Sequence, residues 1–207
     1  MSGTYNCEAA VELVKTYIAG KKAPKIGVTP AVALINPKHA RNVGAAIRVA
    51  SCYGVKQVLF TGDRITLDEK AKTRLPREER MKGYLDVEVF QNDYPFDMFP
   101  SGVTPVAVEI RPNVENLFDF EHPDNPLYVF GPEDGSIPKV VMQHCHRFVV
   151  IPTRHCLNLA MAIGTVLYDR AYKLYKSGKG DVPIFPGEWE GRGIEEALGE
   201  LFTEEEG

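Results

Sequence analysis

The chain has 207 residues, 44% of them hydrophobic and 25% charged. That suits one α/β-sized domain with a real core and excludes a disordered or fibrous protein. The net charge of −4 is a poor average: residues 36–82 carry 11 Lys/Arg against 5 Asp/Glu, whereas residues 176–207 carry 3 against 9.

The opening MSGTYNCEAAVELVKTY lacks the basic start and apolar block of a secretory signal. No apolar run approaches the ~20 residues of a membrane-spanning helix. Cys7, Cys52, Cys145 and Cys156 show no paired spacing. A cytoplasmic protein with reduced thiols and no membrane association is the expectation. Ala9, Leu13 and Tyr17 recur at i, i+4, i+8, so residues 1–25 read as a helical extension packed onto the domain.

From there apolar runs rich in β-formers appear at 31–35, 57–60, 87–90, 104–110, 127–130 and 147–151. Helical spacing lies between them, most clearly over 43–53 and 157–176. Strands alternating with helices predict a mainly parallel sheet with helices on both faces, spanning 26–176. The charged stretch 62–84, broken by Pro76, reads as a surface insertion, and 177–207 as an irregular acidic tail.

In an open α/β sheet, ligands sit beyond the carboxyl ends of the strands. That rule selects the loops NPKHARN, RPN, GPEDG and PTRHCLN, each unusually polar for its place. In the first, Asn42 reads as an N-cap, with Val43, Ile47 and Ala50 as the buried stripe and Gly54 ending the helix. Gly44 permits close approach. Arg41 and Arg48 lie near one face beside the helix N-terminus, as either a solvated charged face or a phosphate site. In the second and third loops, Glu109 ends a strand, and Gly131 and Gly135 flank a turn with peptide N–H groups accessible. Glu133 or Asp134 then stands near the strand ends. GPEDG is neither GxGxxG nor a P-loop, which leaves a Rossmann or nucleotide-triphosphate loop without its fingerprint.

The long helix after Asn158 is apolar on two faces, Leu159, Ile163 and Val166 on one, Ala160, Gly164, Leu167, Ala171 and Leu174 on the other. Part of it is expected to face a second subunit. His144, Cys145, His146, His155 and Cys156 cluster in sequence, but H-C-H spacing is wrong for a structural zinc site, so no metal is expected. Cys156 as a nucleophile lacks an obvious base.

Three motifs stand in order: N-x-G-A-x-x-R from Asn42 to Arg48, F-G-P-E-x-G from Phe130 to Gly135, and I-P-x-x-x-x-L-N-L-A from Ile151 to Ala160. Together they make residues 30–176 resemble the SpoU family of RNA 2′-O-ribose methyltransferases, of the SPOUT class. The resemblance implies a C-terminal trefoil knot, an obligate homodimer, S-adenosylmethionine as cofactor with S-adenosylhomocysteine as product, and a tRNA or rRNA substrate. It also implies site roles. Arg48, Asn42, Glu133 and Asn158 would be catalytic. Glu109, Gly131, Ile151, Cys156 and Leu157 would border the cofactor. Arg41, Arg48, Arg74, Arg77 and Arg80 would meet RNA. Cys156 replaces the family's usual Ser. The alternative is an RNA-binding protein of the same fold with little or no activity.

Overall fold

The computed structural model describes residues 29–65, 87–94, 96 and 101–179. Seven strands form one sheet: β1 (Ala31–Leu34), β2 (Gln57–Phe60), β3 (Glu88–Gln91), β4 (Thr104–Val108), β5 (Glu115–Asn116), β6 (Pro126–Phe130) and β7 (Arg147–Val150). Among the described residues three helices accompany them: α1 (Ala40–Cys52), α2 (Lys139–Met142) and α3 (Leu159–Lys176). The strand order is β3-β2-β1-β6-β4-β7-β5, and every pairing is parallel.

The central strands AVAL, QVLF and PLYVF are buried at every position. Strands covered on both faces need no polar alternation, which is why they read as continuous apolar runs. Successive side chains still point to opposite faces. Val32, Leu34, Val58, Phe60, Val106, Tyr128 and Phe130 form one core with Val43, Ile47 and Ala50 of α1 and Ile163, Val166 and Leu167 of α3. Ala31, Ala33, Leu59, Ala107, Leu127 and Val129 form the other with Ile137, Met142 and Cys145. Each fully buried Leu, Val or Phe contributes roughly 1.5–3 kcal/mol, so the sheet is the rigid platform. Burial also pushes the Cys145 thiol up to about 12.

Register matters more for the site than the layering does. Phe60, Leu34, Phe130 and Val108 are successive cross-strand partners, and Val108 pairs onward with Val149. Five strands therefore end in line, and the loops that follow them leave from one edge.

Two expectations about helices are corrected. The first helix begins at Ala40, its N-cap is His39 without a side-chain cap bond, and Asn42 lies inside the first turn. Its side chain serves elsewhere, as described below. The second concerns α3. Leu159, Ile163 and Val166 of one apolar stripe and Ala160 and Leu167 of the other are buried within the chain, while Gly164, Ala171 and Leu174 of the second stripe are half-buried. At Gly164 an added Cβ would stand 3.2 Å from Val49 Cγ1 of α1, so the glycine brings the two helices together. The exposed apolar face is a different one, Met161, Tyr168, Tyr172 and Tyr175. Gly54 does end α1, with φ +73.

The two-residue strand β5 has no signal in the sequence; pairing with β7 creates it. The N-terminal extension, the acidic tail, most of the charged insertion and with it Arg74, Arg77 and Arg80 lie outside the described residues. Among the described residues no helix is long and apolar enough to cross a membrane, and no group of His, Cys, Asp and Glu could hold a metal ion.

A second polar assembly sits away from the carboxyl edge. Tyr128, fully buried in β6, meets His122 Nδ1 through its hydroxyl at 2.5 Å, and His122 Nε2 meets Asp169 Oδ2 at 2.8 Å. Lys173 Nζ reaches the same Asp169 oxygen at 2.7 Å and donates to the carbonyls of Leu117 and Phe120. A neutral His122 protonated on Nε2 satisfies this set: the tyrosine donates, the imidazole donates to Asp169, and the ammonium uses its three protons. Burial pushes the His122 pKa down, against the pull of Asp169.

Candidate active site

The aligned strand ends deliver four loops to one cavity of about 540 Å³, within the range of small-molecule sites. His39, Arg41 and Asn42 enter from the β1–α1 connection, Val108, Glu109 and Ile110 from the end of β4, Phe130 through Glu133 and Gly135 from the turn after β6. Ile151, Thr153, Cys156, Leu157 and Asn158, with Leu159 and Ala162 of α3, close it from the loop after β7. All five cofactor candidates, Glu109, Gly131, Ile151, Cys156 and Leu157, thus line one space.

Three of the four catalytic candidates are joined in a chain of hydrogen bonds. Glu133 Oε1 accepts from Asn42 Nδ2 at 2.6 Å, and Glu133 Oε2 accepts from the Lys38 amide at 2.7 Å. Asn42 Oδ1 in turn accepts from Asn158 Nδ2 at 3.3 Å. Asn158 Oδ1 accepts from the Ala160 amide at 3.0 Å and so caps α3. A carboxylate only accepts, and the capping oxygen of Asn158 only accepts here, so both amide orientations are determined. Burial pushes the Glu133 carboxyl up, but the bonds from Lys38, Asn42 and nearby amides outweigh it and hold the group below its ordinary value. Glu133 is therefore anionic at neutral pH and points its negative charge along the cavity wall.

Glu109 fastens the turn after β6. Its Oε2 accepts from the Ile137 amide at 2.9 Å and its Oε1 from the Ile110 amide at 3.0 Å. The turn folds back so tightly that a Cβ on Gly131 would stand 3.1 Å from Ile137 N and 3.2 Å from Ile137 Cγ1. A side chain at 131 would therefore crowd the turn. Neither Gly131 nor Gly135 has a positive φ.

Arg48 is exposed on α1, six residues beyond Asn42, or about 9 Å along the helix axis. It is not among the residues lining the cavity, whereas Arg41 is. Lys38, Arg64 and Asp134 were missed by the sequence reading as a group. They meet in ion pairs beside Glu133, and Asp134 lies 96 positions from Lys38 and 70 from Arg64, separations no spacing rule would select. The Arg64 bond, with Lys38 helping, holds the Asp134 carboxyl below its usual range.

A wholly parallel sheet, with a ligand-sized cavity built from four loops at its carboxyl edge, defines an α/β protein that binds a small molecule at its strand ends. The chain belongs to the SpoU rRNA Methylase family, whose model matches residues 29–168. Over 152 residues it is 29% identical to the tRNA (cytidine-2′-O-)-methyltransferase TrmJ of Methanocaldococcus jannaschii, a match covering 67% of this chain and 65% of that protein. The chain therefore spans just under two thirds of that relative. Among solved structures, the TrmH/SpoU tRNA modifying enzyme of A. aeolicus superposes with TM-score 0.59 at 18% identity, covering 84% of this chain and 88% of that one. The SpoU methyltransferase AviRb of Streptomyces viridochromogenes, solved with AdoMet, gives TM-score 0.61 at 19% identity, covering 75% of this chain and 64% of that one. At such identities the likeness speaks for the fold.

Proposed function

We propose that the protein transfers a methyl group from S-adenosylmethionine to a ribose 2′-hydroxyl of tRNA or rRNA. The observation that carries this reading is the convergence of four loops on one cavity with the Glu133–Asn42–Asn158 chain along its wall. The cavity suits the cofactor chemically. Val108, Ile110, Phe130, Ile151 and Leu157 offer apolar walls for a flat ring, and the turn that Gly131 makes possible offers backbone groups. Glu109 and Glu133 supply negative charge for a cation. When bound, S-adenosylmethionine supplies an electrophilic sulfonium methyl and leaves as S-adenosylhomocysteine.

The chain's own residues position the nucleophile and help it lose a proton. Glu133, anionic and tied to two donors, orients Asn42, and Asn42 orients Asn158. Asn158 is held a second time as the cap of α3, so its side chain has little freedom. Arg48 stays charged and is a poor base; its role in this reading is to hold a substrate phosphate and polarise the 2′-oxygen. Arg41, on the cavity rim, meets the same backbone.

The reading includes a homodimer and a trefoil knot. Met161, Tyr168, Tyr172 and Tyr175 form one exposed stripe on α3, and large aromatic patches mark interfaces. The placement of β6 between β1 and β4, with β7 on the far side of β4, supports the threaded path.

Transfer of labelled methyl from S-adenosylmethionine to separate unmodified tRNA and rRNA pools, followed by nucleoside analysis, tests the reading. A 2′-O-methylated nucleoside in one pool is the expected result. Tight RNA binding without label would favour an inactive RNA-binding protein, and neither label nor cofactor binding would sink the proposal.

A further inference from the structure

Asp134, adjacent to Glu133, takes one cation on each oxygen: Arg64 Nη1 at 2.8 Å from Oδ1 and Lys38 Nζ at 3.3 Å from Oδ2. The three side chains come from the loops after β1, β2 and β6, and each is between 38% and 47% exposed. None is among the residues lining the cavity. Exposed ion pairs contribute little to stability, so their convergence calls for another reason.

The loops that present them are built with care. Gln91 Nε2 donates to the carbonyls of Gly62 and Ile65, at 2.8 and 3.1 Å, bracketing Arg64. The Gly62 amide donates to Asp93 at 3.0 Å, and the Asn36 amide donates to Thr61 Oγ1 at 3.0 Å. Gly62 has φ +84, and a Cβ there would stand 2.3 Å from Asn36 Oδ1, so the two cation-bearing loops interlock. Lys38 is gripped at both ends, its amide by Glu133 and its ammonium by Asp134. Arg64 and Lys38 are thus preset beside the Glu133 carboxylate, with Asp134 as the one anion between the two cations.

A carboxylate and a phosphodiester accept from guanidinium and ammonium groups in the same way. We propose that Lys38 and Arg64 form a subsite for an RNA backbone phosphate next to the target nucleotide, with Asp134 as an internal stand-in that keeps both cations poised and yields them when RNA arrives. The proposal rests on the reading that the chain acts on RNA. Asp134 then serves discrimination as well as order. Its charge opposes any polyanion, so RNA that cannot seat its ribose in the cavity is held weakly.

The test compares the full chain with Lys38→Gln/Arg64→Gln and with Asp134→Asn, measuring binding to a pool of unmodified tRNA transcripts across a salt series. S-adenosylhomocysteine affinity is measured alongside. The double variant is expected to bind roughly tenfold more weakly and to flatten the slope of log Kd against log salt by about 0.7–0.9, one phosphate's worth. Asp134→Asn is expected to bind roughly threefold to tenfold more tightly, since a like charge beside the phosphate is gone. Both are expected to keep wild-type cofactor affinity. A purely structural clamp gives the opposite sign: Asp134→Asn would bind RNA and cofactor more weakly. That result, or an unchanged salt slope in the double variant, overturns the proposal. If wild type binds tRNA and the variants match it, the subsite falls and the methyl-transfer reading stands. If the variants behave as expected but no methyl is transferred, the reverse holds.

Discussion

Replacing Gly131 by Ala is the sharpest probe of how the turn after β6 is built. The added Cβ would meet Ile137 N at 3.1 Å, Ile137 Cγ1 at 3.2 Å and the Ser136 carbonyl carbon at 3.4 Å. The side-chain carbon can rotate away, but the amide cannot, because Ile137 N is donated to Glu109 Oε2 at 2.9 Å. The turn must therefore open, lengthening that bond and moving the walls around Phe130 and Pro132. Overpacking of this kind costs about 1–3 kcal/mol, which for a domain of this size lowers Tm by roughly 2–12 °C. The larger effect falls on ligand affinity, since the displaced backbone lines the cavity. S-adenosylhomocysteine binding, measured by calorimetry, should weaken by roughly tenfold to a hundredfold, in line with 1.4 kcal/mol per decade. Wild-type affinity together with a wild-type Tm would show that the turn has slack, and would refute the reasoning that space makes glycine necessary at 131.

Asn158 has two jobs that substitutions can separate. Asn158→Ala loses the cap and should cost about 1 kcal/mol of stability. Asn158→Asp keeps an accepting oxygen for Ala160 N but cannot donate to Asn42 Oδ1, so it should hold its Tm and still lose at least tenfold in methyl transfer; full activity in Asp would remove the donor role. Arg48→Ala should leave fold and oligomeric state unchanged while abolishing transfer, and normal turnover would take Arg48 out of the mechanism. His122 makes stability pH-dependent. Its folded pKa lies below the unfolded value of about 6.5, so the unfolded chain takes up the proton first. Stability is then undiminished above about pH 6.5 and falls as pH drops from there toward the folded pKa. His122→Gln should be less stable at pH 7.5, with Tyr128 or Asp169 left short of a partner, yet show a shallower loss of Tm between pH 7 and 5; parallel curves would assign the slope to other groups.

The strands of the central sheet were legible because burial on both faces leaves no room for polar residues, and AVAL, QVLF and LYVF say so plainly. The four ligand loops were legible for a related reason: polar and glycine-rich sequence directly after a buried strand has to be doing something other than closing a turn. Asn42 shows the limit. Its type and place suited an N-cap, but helix α1 starts two residues earlier, and the side chain is drawn instead to a carboxylate 91 residues away. Capping is a local preference of about 1 kcal/mol, and a charge-assisted bond to Glu133 outweighs it. The helix α3 is apolar on two faces as its sequence reads, but most of both stripes is spent inside the chain, because a helix that packs on both the sheet and α1 must bury two faces before any surface remains.

Sequence alone determined that this chain folds as a parallel α/β domain and which four polar loops follow its strands to one cavity, since hydrophobic period and turn residues act over a few positions. It also brought the family into view, through three ordered motifs. Tertiary structure alone decided which polar side chains meet. Glu133 with Lys38 and Asn42, Glu109 with Ile137, Asp134 between Lys38 and Arg64, and Tyr128 with His122 and Asp169 each join residues that are distant in sequence or indistinguishable by type from solvated neighbours. Strand register brings them together, and register is a property of the assembled sheet that no single segment contains.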